Sequence, residues 1–167
     1  MLAESARATS AAELRFRVQA PNSSPRATSV IALDAGGDAV LRRLAQHPWS
    51  RATFLRAPVP DPQADGEVAD GWLTDLADRQ LRVRDQIAAS DQVIMLAGPG
   101  GTAAAAAMIG RACSQRRVTT TALIVGAQSA SDRELSKTLA QLRPWSLMVV
   151  IANTDEYIGD MMAALRV

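Results

Sequence analysis

The chain has 167 residues, of which 48% are apolar and 21% charged, and its formal net charge is +1 at pH 7. This length suits one domain with a single buried core. A net charge so close to zero provides no general attraction to nucleic acid, so we expect no nucleic-acid partner. No apolar run reaches the roughly 18 residues that a membrane span needs, and none is expected. Cys113 is the only cysteine, which excludes an internal disulfide, and a cytoplasmic protein is the default expectation.

The first 27 residues are expected to form a flexible tail. They lack the continuous apolar centre of a signal peptide, and Glu4 and Glu13 disfavour an Arg- and Ser-rich transit peptide. A single α/β domain is predicted over residues 28–167.

Short apolar runs alternate with helical stretches through the rest of the chain. Apolar, β-branched runs predict strands at 29–33, 52–56, 92–97, 118–127 and 146–153, with 92–97 and 146–153 buried on both faces. Periodic or alanine-rich stretches predict helices at 34–46, 72–90, 103–113, 129–142 and 154–167. A proline- and acid-rich stretch at 57–71 predicts a surface loop. This alternation predicts a three-layer, Rossmann-like α/β fold with a mostly parallel sheet.

Glycine-rich turns follow two of the predicted strands. One reads "LDAGGDAV" (33–40) and the other reads "AGPGGTAAA" (97–105). Ligands of open parallel sheets lie beyond the carboxyl ends of strands, where closely spaced amides at a helix N-terminus bind phosphate. Glycine is also needed wherever a strand enters a helix tightly, so the phosphate-binding and the purely structural interpretation both stay open. Thr102 is a candidate to donate its hydroxyl to a ligand or to cap the following helix.

The order of these segments resembles the nucleotide-binding half of the FtsZ/tubulin family. That family opens with a strand and the loop "GGGGGNAV", where this chain has "VIALDAGGDAV"; its signature "AGMGGGTGTGAAP" is similar to "AGPGGTAAAAAM" here. The family's strand ending "VIPND" corresponds to "VVIANTD". The resemblance runs from Ser29 to about Met162. It implies an FtsZ/tubulin-type nucleotide domain that binds GTP or GDP, with Mg²⁺ as a candidate companion.

The resemblance also implies a set of ligand-binding residues. Gly98, Gly100, Gly101 and Thr102 would form a phosphate cradle, and Gly36 and Gly37 would form its second wall. Asp38 would stand at the family's loop asparagine, Arg133 at its nucleotide-contacting arginine and Asn153 at its base-contacting asparagine. No catalytic residue and no metal ligand are predicted.

Departures from the family pattern affect the expected function. Each glycine loop is one residue shorter, and the family's Gly-Thr-Gly is replaced by the alanines 103–105. Asp34 and Asp38 bring carboxylates into the first loop, and a carboxylate about 4 Å from a phosphate costs about 4 kcal/mol at an effective dielectric near 20. The family's hydrolysis-activating loop and second domain would follow residue 167. Efficient hydrolysis is therefore not expected.

Two functions remain open on the sequence alone. The first is a truncated FtsZ/tubulin-like protein that binds a nucleotide or similar phosphate ligand without efficient hydrolysis. The second is a non-catalytic interaction or assembly module that kept the fold and lost nucleotide binding, with a homo-oligomer or protein complex as its product. An enzyme using Asp34 and Asp38 with a metal is a third interpretation. His47 and Cys113 are interpreted as structural residues.

Overall fold

The computed structural model describes residues 24–58 and 71–167, apart from the side chains of Asp155 and Glu156. Within these ranges the chain forms seven strands and five α-helices. The strands are β1 (Thr28–Ala32), β2 (Ala52–Arg56), β3 (Trp72–Asp75), β4 (Gln80–Arg82), β5 (Gln92–Ala97), β6 (Thr119–Val125) and β7 (Met148–Ala152). The helices are α1 (Ala35–Leu44), α2 (Val83–Ala88), α3 (Ala105–Arg116), α4 (Asp132–Leu142) and α5 (Asp155–Ala164).

The strands form one sheet in the order β4-β3-β2-β1-β5-β6-β7. The five strands from β2 to β7 in this order run parallel, whereas β3 and β4 are antiparallel additions at the β2 edge. The chain leaves β1 toward β2 on one side and later returns to β5 on the other. This reversal creates the switch point at which doubly wound folds place their ligands. The predicted fold, a mostly parallel Rossmann-like α/β domain, is confirmed.

Helices cover both faces of the sheet, so the central strands have no solvent-facing side. Ile31 and Met95 pack on the face covered by α2, α3 and α4. Val30 and Leu96 pack on the opposite face, under α1 and α5. Neighbouring residues of one strand thus enter different cores, which explains why these strands are apolar without alternation.

The predicted helix at 72–90 is wrong over its first half. These residues form the hairpin β3–β4, and only Val83–Ala88 is helical. The Asp75 carboxylate fixes the turn by accepting hydrogen bonds from the amides of Ala77 (2.8 Å) and Arg79 (2.9 Å). The Arg79 amide, helped by the Arg79 side chain and the Ala77 amide, lowers the pKa of Asp75, which keeps the turn charged at neutral pH. The local turn chemistry therefore overrides the helical spacing of the leucines.

The last strand differs from its predicted environment. β7 was expected to be buried on both faces, but it is the edge strand of the sheet. Met148 and Ile151 are 40% and 43% exposed, and Val149 and Val150 are half-buried. A short apolar run has the same composition at the edge and in the centre, so the sequence did not distinguish the two positions.

The predicted tail at 1–27 and the predicted loop at 57–71 lie mainly outside the described residues. The structure does not describe residues 1–23 of the first or residues 59–70 of the second. Just before β1, the Arg26 amide donates to the carbonyl of Arg166 (2.9 Å), and the Ala27 amide donates to Asp91 Oδ2 (2.8 Å). The chain is thus attached to the domain from Arg26 onward. Of the helices in the described ranges, none combines the length and the apolar character that crossing a membrane requires.

Gly159 lies inside α5, and alanine at this position is expected to stabilise the protein by about 1 kcal/mol, because glycine is the poorer helix former. A Cβ added there would meet no heavy atom within 4 Å. Gly126 is the matched control: its Cβ would also be free, but its φ of +70° disfavours any L side chain, so Gly126→Ala should destabilise. Urea unfolding measures both changes. Loss of stability in Gly159→Ala would contradict the expectation.

Candidate functional site

The candidate site lies at the switch point, where β1 and β5 end side by side. The Leu33 amide donates to the carbonyl of Leu96 (2.9 Å), which keeps the two strands paired up to their last residues. From there β1 enters α1, and β5 enters the loop at 98–104. A Cβ on Gly36 would lie 3.0 Å from the Gly98 Cα, so the two turns touch through their backbones. We call the four glycines that meet here, Gly36, Gly37, Gly98 and Gly101, the glycine cradle.

The Asp34 carboxylate fills the glycine cradle. As the N-cap of α1, its Oδ1 accepts a hydrogen bond from the Gly37 amide (2.8 Å). Both of its oxygens also accept from the Gly98 amide, at 2.9 and 3.0 Å. A Cβ on Gly101 would lie 2.1 Å from Asp34 Oδ2, so the carboxylate also occupies the space above that residue. An anion at a helix N-terminus, held by glycine amides, is the arrangement that a bound phosphate adopts.

Helix α4 accepts hydrogen bonds from two further amides of the second loop. The Gly100 amide donates to Thr138 Oγ1 (2.9 Å) and also points at the carbonyl of Glu134 (3.2 Å). The Ala103 amide donates to Gln141 Oε1 (2.9 Å). These donors face the helix, not a ligand space. Gly100 has a φ of +74°, which accounts for glycine at this position without any ligand.

The carbonyl groups of the loop are bound by the same helix. Thr138 Oγ1 donates to the Gly98 carbonyl (3.2 Å), and Lys137 Nζ donates to the Gly100 carbonyl (2.8 Å). Gln141 Nε2 lies 3.4 Å from the Gly101 carbonyl. The loop is therefore clamped to α4 by side chains of successive turns. Such clamping holds the loop in one conformation with Asp34 in place.

Charges near the loop oppose a phosphate. Glu134 forms a capping box with Ser131, and the hydrogen bonds from the Ser131 hydroxyl and amide lower the pKa of the Glu134 carboxyl. This carboxyl is thus ionised at neutral pH, and its side chain lies beside Gly100, 3.0 Å from where a Cβ would stand. Lys137 supplies a positive charge, but it binds the Gly100 carbonyl. Asp34 and Glu134 together make the vicinity of the loop acidic.

Asp38 lies in a groove on the β2 side of the cradle, and Asp34 lines the same groove. It pairs with Arg42 at 2.9 Å and lies 4.0 Å from Arg56 Nε, while Arg56 also pairs with Asp78. The groove has a volume of about 310 Å³ and includes Thr74 in its lining. Asp38 Oδ1 and Arg56 Nε are buried there without a hydrogen-bond partner. Asp38 is thus held by arginines and does not point at the glycine cradle.

The other predicted residues take no part in the hydrogen bonds that hold Asp34. Thr102 is exposed and does not cap the helix, because the N-cap of α3 is Ala104 and that cap has no side-chain hydrogen bond; the capping prediction is wrong. Arg133 is exposed on α4. Asn153 follows β7, which lies two strands from β5, about 10 Å away across the sheet.

Sequence reasoning missed the residues that hold the second loop. Glu134, Lys137, Thr138 and Gln141 follow the i, i+3, i+4, i+7 spacing of one helix face. This spacing was available as a signal of a common polar face. It did not reveal that the face packs on the loop after β5. The N-cap role of Asp34 also had a signal, since aspartate before a helix favours capping.

Cys113 and His47 were both interpreted as structural residues. Cys113 is 1% exposed, and burial raises the pKa of its thiol to about 12, so it stays protonated and unreactive at neutral pH. His47 is exposed after α1, edge-on to Trp49 with ring centroids 6.4 Å apart. Within 24–58 and 71–167, no three His, Cys, Asp or Glu side chains are grouped so as to hold a metal ion.

Comparison with known proteins adds little to this geometry. No protein-family model matches the chain, and no curated protein matches it either. Among solved structures, one match is translation elongation factor SelB from Methanococcus maripaludis in complex with the GTP analogue GppNHp, at 9% identity and a TM-score of 0.45. The match covers 85% of this chain and 33% of that chain, so this chain spans about a third of the SelB chain. Similarity at this level says nothing about a ligand of this chain.

Proposed function

We propose that this chain is a non-catalytic interaction or assembly module with an FtsZ/tubulin-like nucleotide-domain fold. In this proposal the glycine cradle is occupied by the side chain of Asp34 and not by a ligand. One observation carries the proposal: the Asp34 carboxylate accepts hydrogen bonds from the Gly37 and Gly98 amides. Glycine amides at a helix N-terminus are donors of the kind that bind a phosphate. The chain uses them to fix two turns to each other.

The energetic cost of displacing Asp34 supports this proposal. A phosphate entering the cradle with Asp34 still nearby would be repelled by about 4 kcal/mol at 4 Å and an effective dielectric near 20. Moving the carboxylate out would also uncap α1, which costs about 1 kcal/mol. Phosphate binding must offset both costs before it has any net affinity.

A second candidate function is binding of a nucleotide or similar phosphate ligand without efficient hydrolysis. The meeting of four glycines at the switch point favours it, because this is where doubly wound folds bind phosphates. Binding would require Asp34 to leave the cradle, and GTP or GDP with Mg²⁺ would be the ligand implied by the FtsZ/tubulin resemblance.

Thermal unfolding with GTP, GDP and ATP, each with and without Mg²⁺, separates the two candidates. A ligand at a hundred times its dissociation constant adds about 2.7 kcal/mol to stability, which is a shift of several degrees for a domain of this size. We expect no shift with any of these nucleotides, because Asp34 occupies the amides.

The Asp34→Asn variant completes the test. Asparagine keeps one oxygen acceptor for the amides but removes the charge that repels phosphate. A shift with guanine nucleotides in the wild type would overturn the proposal, and a larger shift in Asp34→Asn would mean that phosphate competes with the carboxylate. That result would establish the second candidate.

A further inference from the structure

The two edges of the sheet differ in charge. The β4 edge carries Arg82, whose guanidinium lies over the Trp72 ring at 5.1 Å, and is flanked in sequence by Arg79 and Arg84. The β7 edge has no charged residue from Pro144 to Thr154, and its only proline precedes the strand. Charges, prolines and bulges are the usual means by which an edge strand avoids pairing with another chain. The β4 edge is protected in this way, and the β7 edge is not.

The β7 edge also exposes apolar side chains and backbone. Leu147, Met148 and Ile151 are 81%, 40% and 43% exposed. Within the described part of the chain, β7 has a strand partner on one side only, namely β6. Alternate residues of β7 therefore direct their N–H and C=O groups outward, and these groups need a strand or water as partner.

We propose that β7 pairs antiparallel with β7 of a second copy of this chain, across a two-fold axis near the middle of the strand, so that two sheets join into one. This inference rests on the proposed function, because it names the partner of the assembly module. A two-fold interface presents the same surface from both copies and so requires a self-complementary strand.

The absence of charged residues along β7 favours a second copy of this chain as the strand that pairs with it. Antiparallel self-pairing of β7 brings only uncharged residues opposite one another and covers Met148 and Ile151 of both copies. The same pairing at β4 would bring arginines of the two copies together, which is unfavourable. A charged partner strand would find no opposite charge between Pro144 and Thr154. The stretch 14–18 of the same chain carries two arginines, and these would likewise find no opposite charge there.

Sedimentation equilibrium over a concentration series tests this pairing on the full chain. Wild type should sediment as a dimer, and Ile151→Lys should raise the dimer dissociation constant by about 100-fold, because two partly buried isoleucines are lost and two positive charges meet. Leu76→Lys is the matched control, since Leu76 is 39% exposed but belongs to the β3–β4 turn near the opposite edge. It should leave the dimer unchanged. Circular dichroism confirms that both variants fold.

Three results would overturn the pairing. They are a monomeric wild type at every concentration, equal dissociation constants for Ile151→Lys and Leu76→Lys, and loss of the dimer on deletion of residues 1–23, which would assign the interface to the amino-terminal segment. The nucleotide measurement is separate. A monomer whose unfolding ignores nucleotides removes this inference only, whereas a guanine-nucleotide shift removes the proposed function.

Discussion

Replacing Asp34 with alanine should lower the free energy of unfolding by about 3 kcal/mol. The change removes the N-cap of α1, for which about 1 kcal/mol is typical. It also leaves the buried amide of Gly98 without its charged acceptor, and a buried unsatisfied donor costs about 1–3 kcal/mol. Urea unfolding measures the loss. Asp34→Asn, which keeps one acceptor oxygen, should lose less.

Formate provides the control for Asp34→Ala. It supplies a free carboxylate that fits the vacated space, so it should restore part of the stability of Asp34→Ala and leave the wild type unchanged. If formate affects both proteins equally, the glycine cradle does not hold an anion, and the loss in the variant reflects helix capping alone.

Gly37→Ala should cost about 3 kcal/mol, at the upper end of what overpacking usually costs. A Cβ at this position would lie 2.3 Å from the carbonyl oxygen of Leu96 and 2.8 Å from its carbonyl carbon. Both atoms belong to the backbone of β5, so α1 would have to move away from the sheet. Thermal unfolding with circular dichroism detection measures the loss.

Gly36→Ala is the graded control for this change. Its Cβ would lie 3.0 Å from the Gly98 Cα, a tighter contact than normal but one that a small shift of the loop relieves. Gly37→Ala should therefore lower the free energy of unfolding more than Gly36→Ala does. If the two variants were equally stable, close packing of α1 on β5 would not be the reason for glycine at position 37.

The sequence was informative where one residue type serves one local purpose. Apolar runs such as 92–97 predicted the central strands, because a strand covered on both faces has no polar position. Glycines after β1 and β5 predicted tight turns at the carboxyl ends of these strands. The helix predicted at 129–142 is also present, as Asp132–Leu142 with Ser131 as its N-cap. In each case neighbouring residues decide the outcome.

The sequence was less informative where distant residues decide. The Asp34 carboxylate reaches the Gly98 amide across a separation of 64 residues, and no local pattern signals that contact. The same is true of Thr138 and Gln141, which hold a loop on another element. At 72–90 the leucine spacing favoured a helix, but the hydrogen bonds of Asp75 produced a hairpin. The two glycine turns could thus be located from the sequence, but not the side chain that lies between them.

The arginine-bearing hairpin at the β2 side of the sheet limits the size of any assembly built through strand edges. A sheet with two open edges has a valence of two and can add copies at both ends, which gives filaments. With β4 protected, the sheet formed by the described residues offers a single open edge and has a valence of one. Growth through this edge stops at a pair, so raising the protein concentration would produce no larger particle.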